Sequence, residues 1–148
     1  MEGFAGTHEG ETIAERIQKA GGTIDAIALD EPYFYGHFYD GPNACKWTDE
    51  EIAEGVDKYI QFMREFFPDV IIGDTEPIAG PVTADDYNQW LLTFREVSGY
   101  DLAFLHLDIN WSRITWASEV KEIEDFGQSE SIPTTMGRSS DRCVTNSL

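Results

Sequence analysis

The chain has 148 residues, 41% of them hydrophobic and 19 aromatic, which suits one domain with a real core and argues against disorder over most of its length. Its formal net charge of −18 repels phosphate backbones and anionic lipid surfaces, so nucleic acid and membrane are not expected partners. Carbohydrate, another small neutral substrate or a cation stays open, and solubility is the simplest account of the charge itself.

The two cysteines, Cys45 and Cys143, form no Cys-x-x-Cys pair, so no structural zinc is expected. No run of about 18 apolar residues is present to span a membrane. The opening "MEGFAGTHEGE" lacks the basic and apolar regions of a signal peptide. The compartment is left unassigned.

In chain order, Ile13, Ala14, Ile17 and Ala20 form a helical stripe that Gly21-Gly22 should stop. Residues 24–29 read as an apolar strand ending at Asp30-Glu31-Pro32. Thr48 with Glu51 is a capping box. Behind it Ile52, Val56, Tyr59, Ile60, Met63 and Phe67 keep helical spacing up to Pro68. Residues 69–73 read as a second strand, followed by Asp74-Thr75-Glu76-Pro77. Thr83 and Asp86 open a third helix, with Tyr87, Leu91 and Phe94 on one face and Gly99 past its end. Residues 102–107 read as a third strand, and a fourth helix is expected from about Thr115 to Phe126, stopped by Gly127.

This order, with short apolar strands that hardly alternate, predicts an α/β fold with parallel strands covered by helices. Right-handed crossovers place the C-terminal end of every strand on one rim. No G-x-G-x-x-G or P-loop occurs, which disfavours a nucleotide-binding doubly wound sheet. Acids at strand ends are the habit of (β/α)8 enzymes. A full barrel takes about 250 residues, so the chain is expected to be about half of a TIM barrel over residues 1–127. Residues 128–148 differ. From Gly127 to Leu148 there is no aromatic residue, eight of 22 are Ser or Thr, and the formal charge is zero. "SIPTTM" reads as the possible opening of a fourth strand. Two readings of this tail stay open, a loss of the native frame near residue 130 and an ordinary disordered tail.

The rim gathers the candidate chemistry. A partly desolvated Glu31 on a strand end has its pKa raised toward the range of a general acid, and Glu76 repeats the Glu-Pro signal. Residues two apart on a strand share a side, so His106 and Asp108 face one site if the strand persists that far. Against this stands a bland reading, in which Asp30 and Glu31 accept bonds from loop amides and the aromatics after Pro32 pack the lip. Cys45, without a placed base, is no convincing nucleophile. His8 and His37 fall in expected βα loops.

"LDEP" and "GDTEP" within an α/β repeat resemble the barrel glycoside hydrolases, whose largest clan carries an Asn-Glu-Pro acid/base after the fourth strand and a nucleophilic glutamate after the seventh. The resemblance implies Glu31 as acid/base, although Asp30 stands where the asparagine would be, and Glu76 as its partner, although on the next strand. Asp30 would tune these acids. Asp74, His106, Asp108 and Asn110 would bind hydroxyls, and Trp111, Tyr33, Tyr35 and His37 would line a sugar subsite. No cofactor is then expected. The same rim also resembles metal-dependent barrel sugar isomerases or lyases, with Asp74, Glu76 and His106 holding a divalent ion. A third expectation is a non-catalytic fragment that self-associates through open sheet edges.

Overall fold

The computed structural model describes residues 9–136. Four helices, α1 (Glu9–Lys19), α2 (Asp49–Phe66), α3 (Ala84–Ser98) and α4 (Trp116–Glu130), alternate with four strands, β1 (Ala26–Asp30), β2 (Ile71–Ile78), β3 (Leu105–Ile109) and β4 (Thr134–Met136). The sheet is parallel, in the order β1-β2-β3-β4. Sequential order leaves no point at which the winding reverses, so this is not a doubly wound sheet. It is an open α/β layer, compatible with part of a barrel.

Local signals account for the helices. Thr48 and Glu51 close a reciprocal capping box at α2, and Thr83 and Asp86 close another at α3. Gly99, at φ 79°, ends α3 in the left-handed conformation. The apolar stripe of α2 buries Ile52, Val56, Ile60 and Met63, each contributing about 1.5–3 kcal/mol by leaving water. That of α3 buries Tyr87, Trp90, Leu91 and Phe94.

Helices pack α1 on α2, α2 on α3 and α3 on α4, all against one face of the sheet. On that face Ile72, Ile78, Leu105, Leu107 and Ile109 are buried. The opposite face carries Ala26, Ala28 and Asp30 from β1, Ile71, Gly73 and Thr75 from β2, and His106 and Asp108 from β3. Ala26, Ala28, Asp30, Ile71 and Asp108 are exposed there. The Phe104 ring lies over Gly73, where any Cβ would collide with it at 2.4 Å.

Three elements differ from the sequence reading. β2 does not end at Gly73 but continues through Asp74, Thr75, Glu76 and Pro77. A proline inside a central strand normally removes a ladder bond. Here Glu31 N donates to Thr75 O, so Thr75, and by alternation Pro77, faces β1, which has already ended at Asp30. The missing donor costs no bond, and the Pro77 carbonyl accepts from Tyr87 Oη at 2.5 Å.

Gly127 does not stop α4, which runs to Glu130 and ends on Ser131 at φ 62°. A Cβ on Gly127 would stand 2.8 Å from the Ile132 carbonyl and 2.6 Å from Thr134 Cγ2, so the glycine permits close packing of α4 on the approach to β4. The boundary expected at residue 127 therefore falls inside a helix, and "SIPTTM" does open a fourth strand. Residues 137–148, most of the atypical tail, lie outside the described residues, as does Cys143.

The third difference is at residues 32–38, expected as a loop. They are helical, with a π turn over Phe34–Phe38 in which Tyr39 N donates to Phe34 O. Gly36 is buried in it, and a Cβ there would meet Ile52 at 2.8 Å.

Candidate functional site

The strand-end acids fall into two groups because β2 is longer than its apolar core suggests. Paired residues of parallel strands point to the same side, and successive residues to opposite sides. Asp74 is level with Leu105 and Glu76 with Leu107, whereas Thr75 is level with Asp30 and His106. Asp74 and Glu76 therefore enter the helix-covered core, where both are 0% exposed. Asp30, His106 and Asp108 stand on the open face.

Within the core, Glu76 accepts from the amides of Tyr33 (2.7 Å) and Phe34 (3.1 Å). These are otherwise unpaired donors at the start of the 32–38 helical segment. Asp74 Oδ2 accepts from Trp90 Nε1 at 2.9 Å. Asp74 Oδ1 is buried without a hydrogen-bond partner. Burial raises the pKa of both carboxyls: for Asp74 it outweighs the bond to Trp90, and for Glu76 the Asp74 charge adds to it.

Tyr33 stacks on Trp90 at 5.1 Å and 9° and is 2% exposed. It is a core residue, and the sugar platform expected of it does not exist. His37 pairs through Nδ1 with Asp49 at 3.3 Å, at the start of α2. Burial, then the Asp49 and Asp86 charges, hold the Tyr33 phenol far above its usual range.

Glu31 is the pivot between the two groups. Its φ of 54° is left-handed, which costs a non-glycine residue about 1–3 kcal/mol. The conformation is held by Glu31 N donating to Thr75 O and Tyr35 N donating to Glu31 O. The turn sends residues 32–38 over the helices and leaves the half-buried Glu31 carboxyl at the strand ends. Its pKa is raised by burial, then by the Asp30 and Asp108 charges. Tyr35 remains beside this group, its phenol raised by burial, then by Glu31 and Asp30.

After β3, Asn110 Oδ1 accepts from Ser112 N and Oγ and shapes a tight turn. Trp111 is 60% exposed and meets Trp116 edge-on at 4.9 Å. Arg113 binds this loop to the one after β2, donating to Gly80 O, Val82 O and Glu119.

The structure thus brings together Asp30, Glu31, Asp108 and Tyr35, with Thr75 and His106 on the same face and Asn110 and Trp111 on the adjoining loop. It separates Asp74 and Glu76 from them. The ligand set Asp74, Glu76 and His106 is divided by the sheet itself, and among the described residues no group of three or more His, Cys, Asp or Glu is placed to hold a metal ion. Thr75, Trp90 and Asp49 were missed from sequence. Their roles depend on strand register and on contacts far along the chain, for which no local signal exists. A cleft of about 740 Å³ lies at the other end of the sheet, among Gly22, Asp25, Phe67, Pro68 and Asp69. In barrels that end serves stability rather than chemistry.

No family model matches this chain, and no match was found among curated proteins or solved structures.

Proposed function

We propose that the chain is part of a glycoside hydrolase-like barrel enzyme acting on carbohydrate, with its site on the open face at the ends of β1 and β3. The observation that carries this reading is Glu31, half-buried at the strand ends beside Asp30 and Asp108, its pKa raised by burial and then by their charges. A carboxyl tuned toward acid duty beside a second carboxyl is the pairing glycosidic cleavage requires. Glu31 gives its proton to the leaving oxygen as the bond to the anomeric carbon breaks. Asp108 takes a proton from the water whose oxygen attacks that carbon. Two strand spacings separate β1 from β3, about 10 Å, which suits the about 6.5–9.5 Å of an inverting pair better than the about 5 Å of a retaining one. Trp111 offers an exposed ring for stacking, and a neutral sugar meets no repulsion from the acidic surface.

The test is hydrolysis of a panel of aryl glycosides and polysaccharides by the 148-residue chain and by Glu31→Gln. Loss of a general acid is expected to lower turnover by about 100- to 10,000-fold, least for substrates whose leaving group needs no proton. Product released with inverted anomeric configuration, followed by NMR, is expected. Wild-type turnover in Glu31→Gln would exclude the assignment.

A further inference from the structure

We infer that Asp74 and Glu76 form a pH-sensitive latch: when both carboxyls are ionised, Glu76 releases the Tyr33 and Phe34 amides and residues 32–38 lift from the helices. The inference rests on the fold and not on the hydrolase reading.

Strand position creates the pair. Residues 74 and 76 stand on the same side of β2, about 7 Å apart along it, and both are fully buried. Their neighbours on the flanking strands are apolar, Leu29 on β1 and Leu105 and Leu107 on β3. A buried carboxylate is ordinarily matched by a cation. The groups that face this pair bring none. Trp90 and Tyr87 face it from α3, Tyr33 from the 32–38 segment and Glu31 from the end of β1. Asp49 at the start of α2 and Asp86 on α3 add negative charge beside Tyr33. Among the described residues no ion pair reaches Asp74 or Glu76.

The donors present suit one negative charge better than two. Trp90 Nε1 donates to Asp74 Oδ2, and the amides of Tyr33 and Phe34 donate to Glu76. Asp74 Oδ1 has no partner. A second charge in the same dry space meets an orphaned oxygen and the repulsion of the first. Burial raises the pKa of both carboxyls, so the second charge forms only above the ordinary carboxylate range.

The segment can lift without unpicking the sheet. Tyr35 N donates to Glu31 O and Tyr39 N to Phe34 O, both within residues 31–39, and Trp47 N donates to Gly36 O in the loop that follows. The bonds from this backbone to the sheet beyond the Glu31 turn go to the Glu76 carboxyl. The strand beside it, β1, is at the sheet edge, and Glu31 at φ 54° supplies the turn about which the segment swings. On lifting, Tyr33 leaves the Trp90 ring and water reaches both carboxyls, which then ionise at ordinary pH. The closed form thus binds more protons than the open one, and its population falls as pH rises. His37, paired with Asp49 at 3.3 Å on the segment's other attachment, would loosen it with the same sign on losing a proton and therefore needs its own control.

The test is amide exchange of the full chain followed by NMR between about pH 5 and 8, each rate divided by the intrinsic rate at that pH. Protection of the Tyr33 and Phe34 amides should fall about tenfold further than that of Asp74 and Ala103, whose amides bond between β2 and the Ala103–Phe104 approach to β3, tenfold being the effect of one proton released over one pH unit. In Asp74→Asn the two sets should fall together. Glu76→Gln, which also leaves a single carboxyl, should do the same, and it serves where circular dichroism shows Asp74→Asn unfolded. His37→Gln should keep the wild-type difference. Three results would overturn the inference: Tyr33 and Phe34 protection that follows the sheet amides at every pH in the wild type, the wild-type difference retained in a folded Asp74→Asn or Glu76→Gln, or its loss in His37→Gln. A segment released as expected in a chain without turnover on any glycoside would leave this inference standing and remove the hydrolase reading.

Discussion

The two faces of the sheet use the same residue type under opposite conditions. On the helix side, Asp74 and Glu76 have left water, Asp74 accepting from the Trp90 indole and Glu76 from amides of the 32–38 segment. On the open side, Asp30 and Asp108 remain exposed and act on Glu31 through their charge. A carboxyl without solvent becomes a fastening, and one with solvent stays free to exchange protons and ligands. The strand position decides which, since a shift of one residue exchanges the faces.

The largest effect should come from breaking the fastening. Glu76→Leu leaves the Tyr33 and Phe34 amides without their acceptor, at a cost of about 1–3 kcal/mol each. Global stability in urea should fall by about 2–5 kcal/mol, and Glu76→Gln, which keeps one carbonyl oxygen, should lose less. Equal stability of Glu76→Leu and wild type would mean that the buried acid holds nothing.

Changing the pH should sharpen the contrast. Burial raises Asp74 from 3.8 to about 7 and Glu76 in the same direction. The folded chain therefore binds more protons than the unfolded chain across this window. Stability is greatest on the acid side and falls as pH rises from about 4 through about 7. Relief of the general negative charge on acidification has the same sign, so the comparison that counts is with Asp74→Asn, which removes one of the two buried titrating groups. Its melting temperature should fall less steeply between pH 4.5 and 8 than that of wild type. Parallel curves would assign the whole slope to surface charge.

The smallest effect belongs to the open side. Glu31→Gly relieves a left-handed conformation and should stabilise the fold by about 1 kcal/mol, within the range for such strain, while removing the proposed acid. A gain in chemical-denaturation midpoint with turnover lost would mark Glu31 as strained for function. A loss of stability would show instead that its side chain supports the fold.

Much of this was legible from sequence where the signal is local. The Thr48–Glu51 and Thr83–Asp86 boxes, Gly99, the three apolar strands and the shared side of His106 and Asp108 all follow from residues a few positions apart. The extent of β2 was not legible. Charged residues usually end a buried strand, and the groups that satisfy Glu76 and Asp74 lie 43, 42 and 16 residues away. Gly127 was read as a stop because glycine favours helix ends, yet its function is a contact with Ile132 and Thr134, which sequence spacing does not reveal. Tyr33 looked like a rim aromatic until the Glu31 turn carried it over the helices onto Trp90.

Pro77 has a consequence for what the rim can accept. Beyond Asp30 the sheet has a notch one strand wide, bordered on β2 by a ring nitrogen without hydrogen and a carbonyl already engaged by Tyr87. An extended peptide cannot lengthen β1 by zipping along that border, because it finds no rung there. The recess is thereby closed to strand addition along β2.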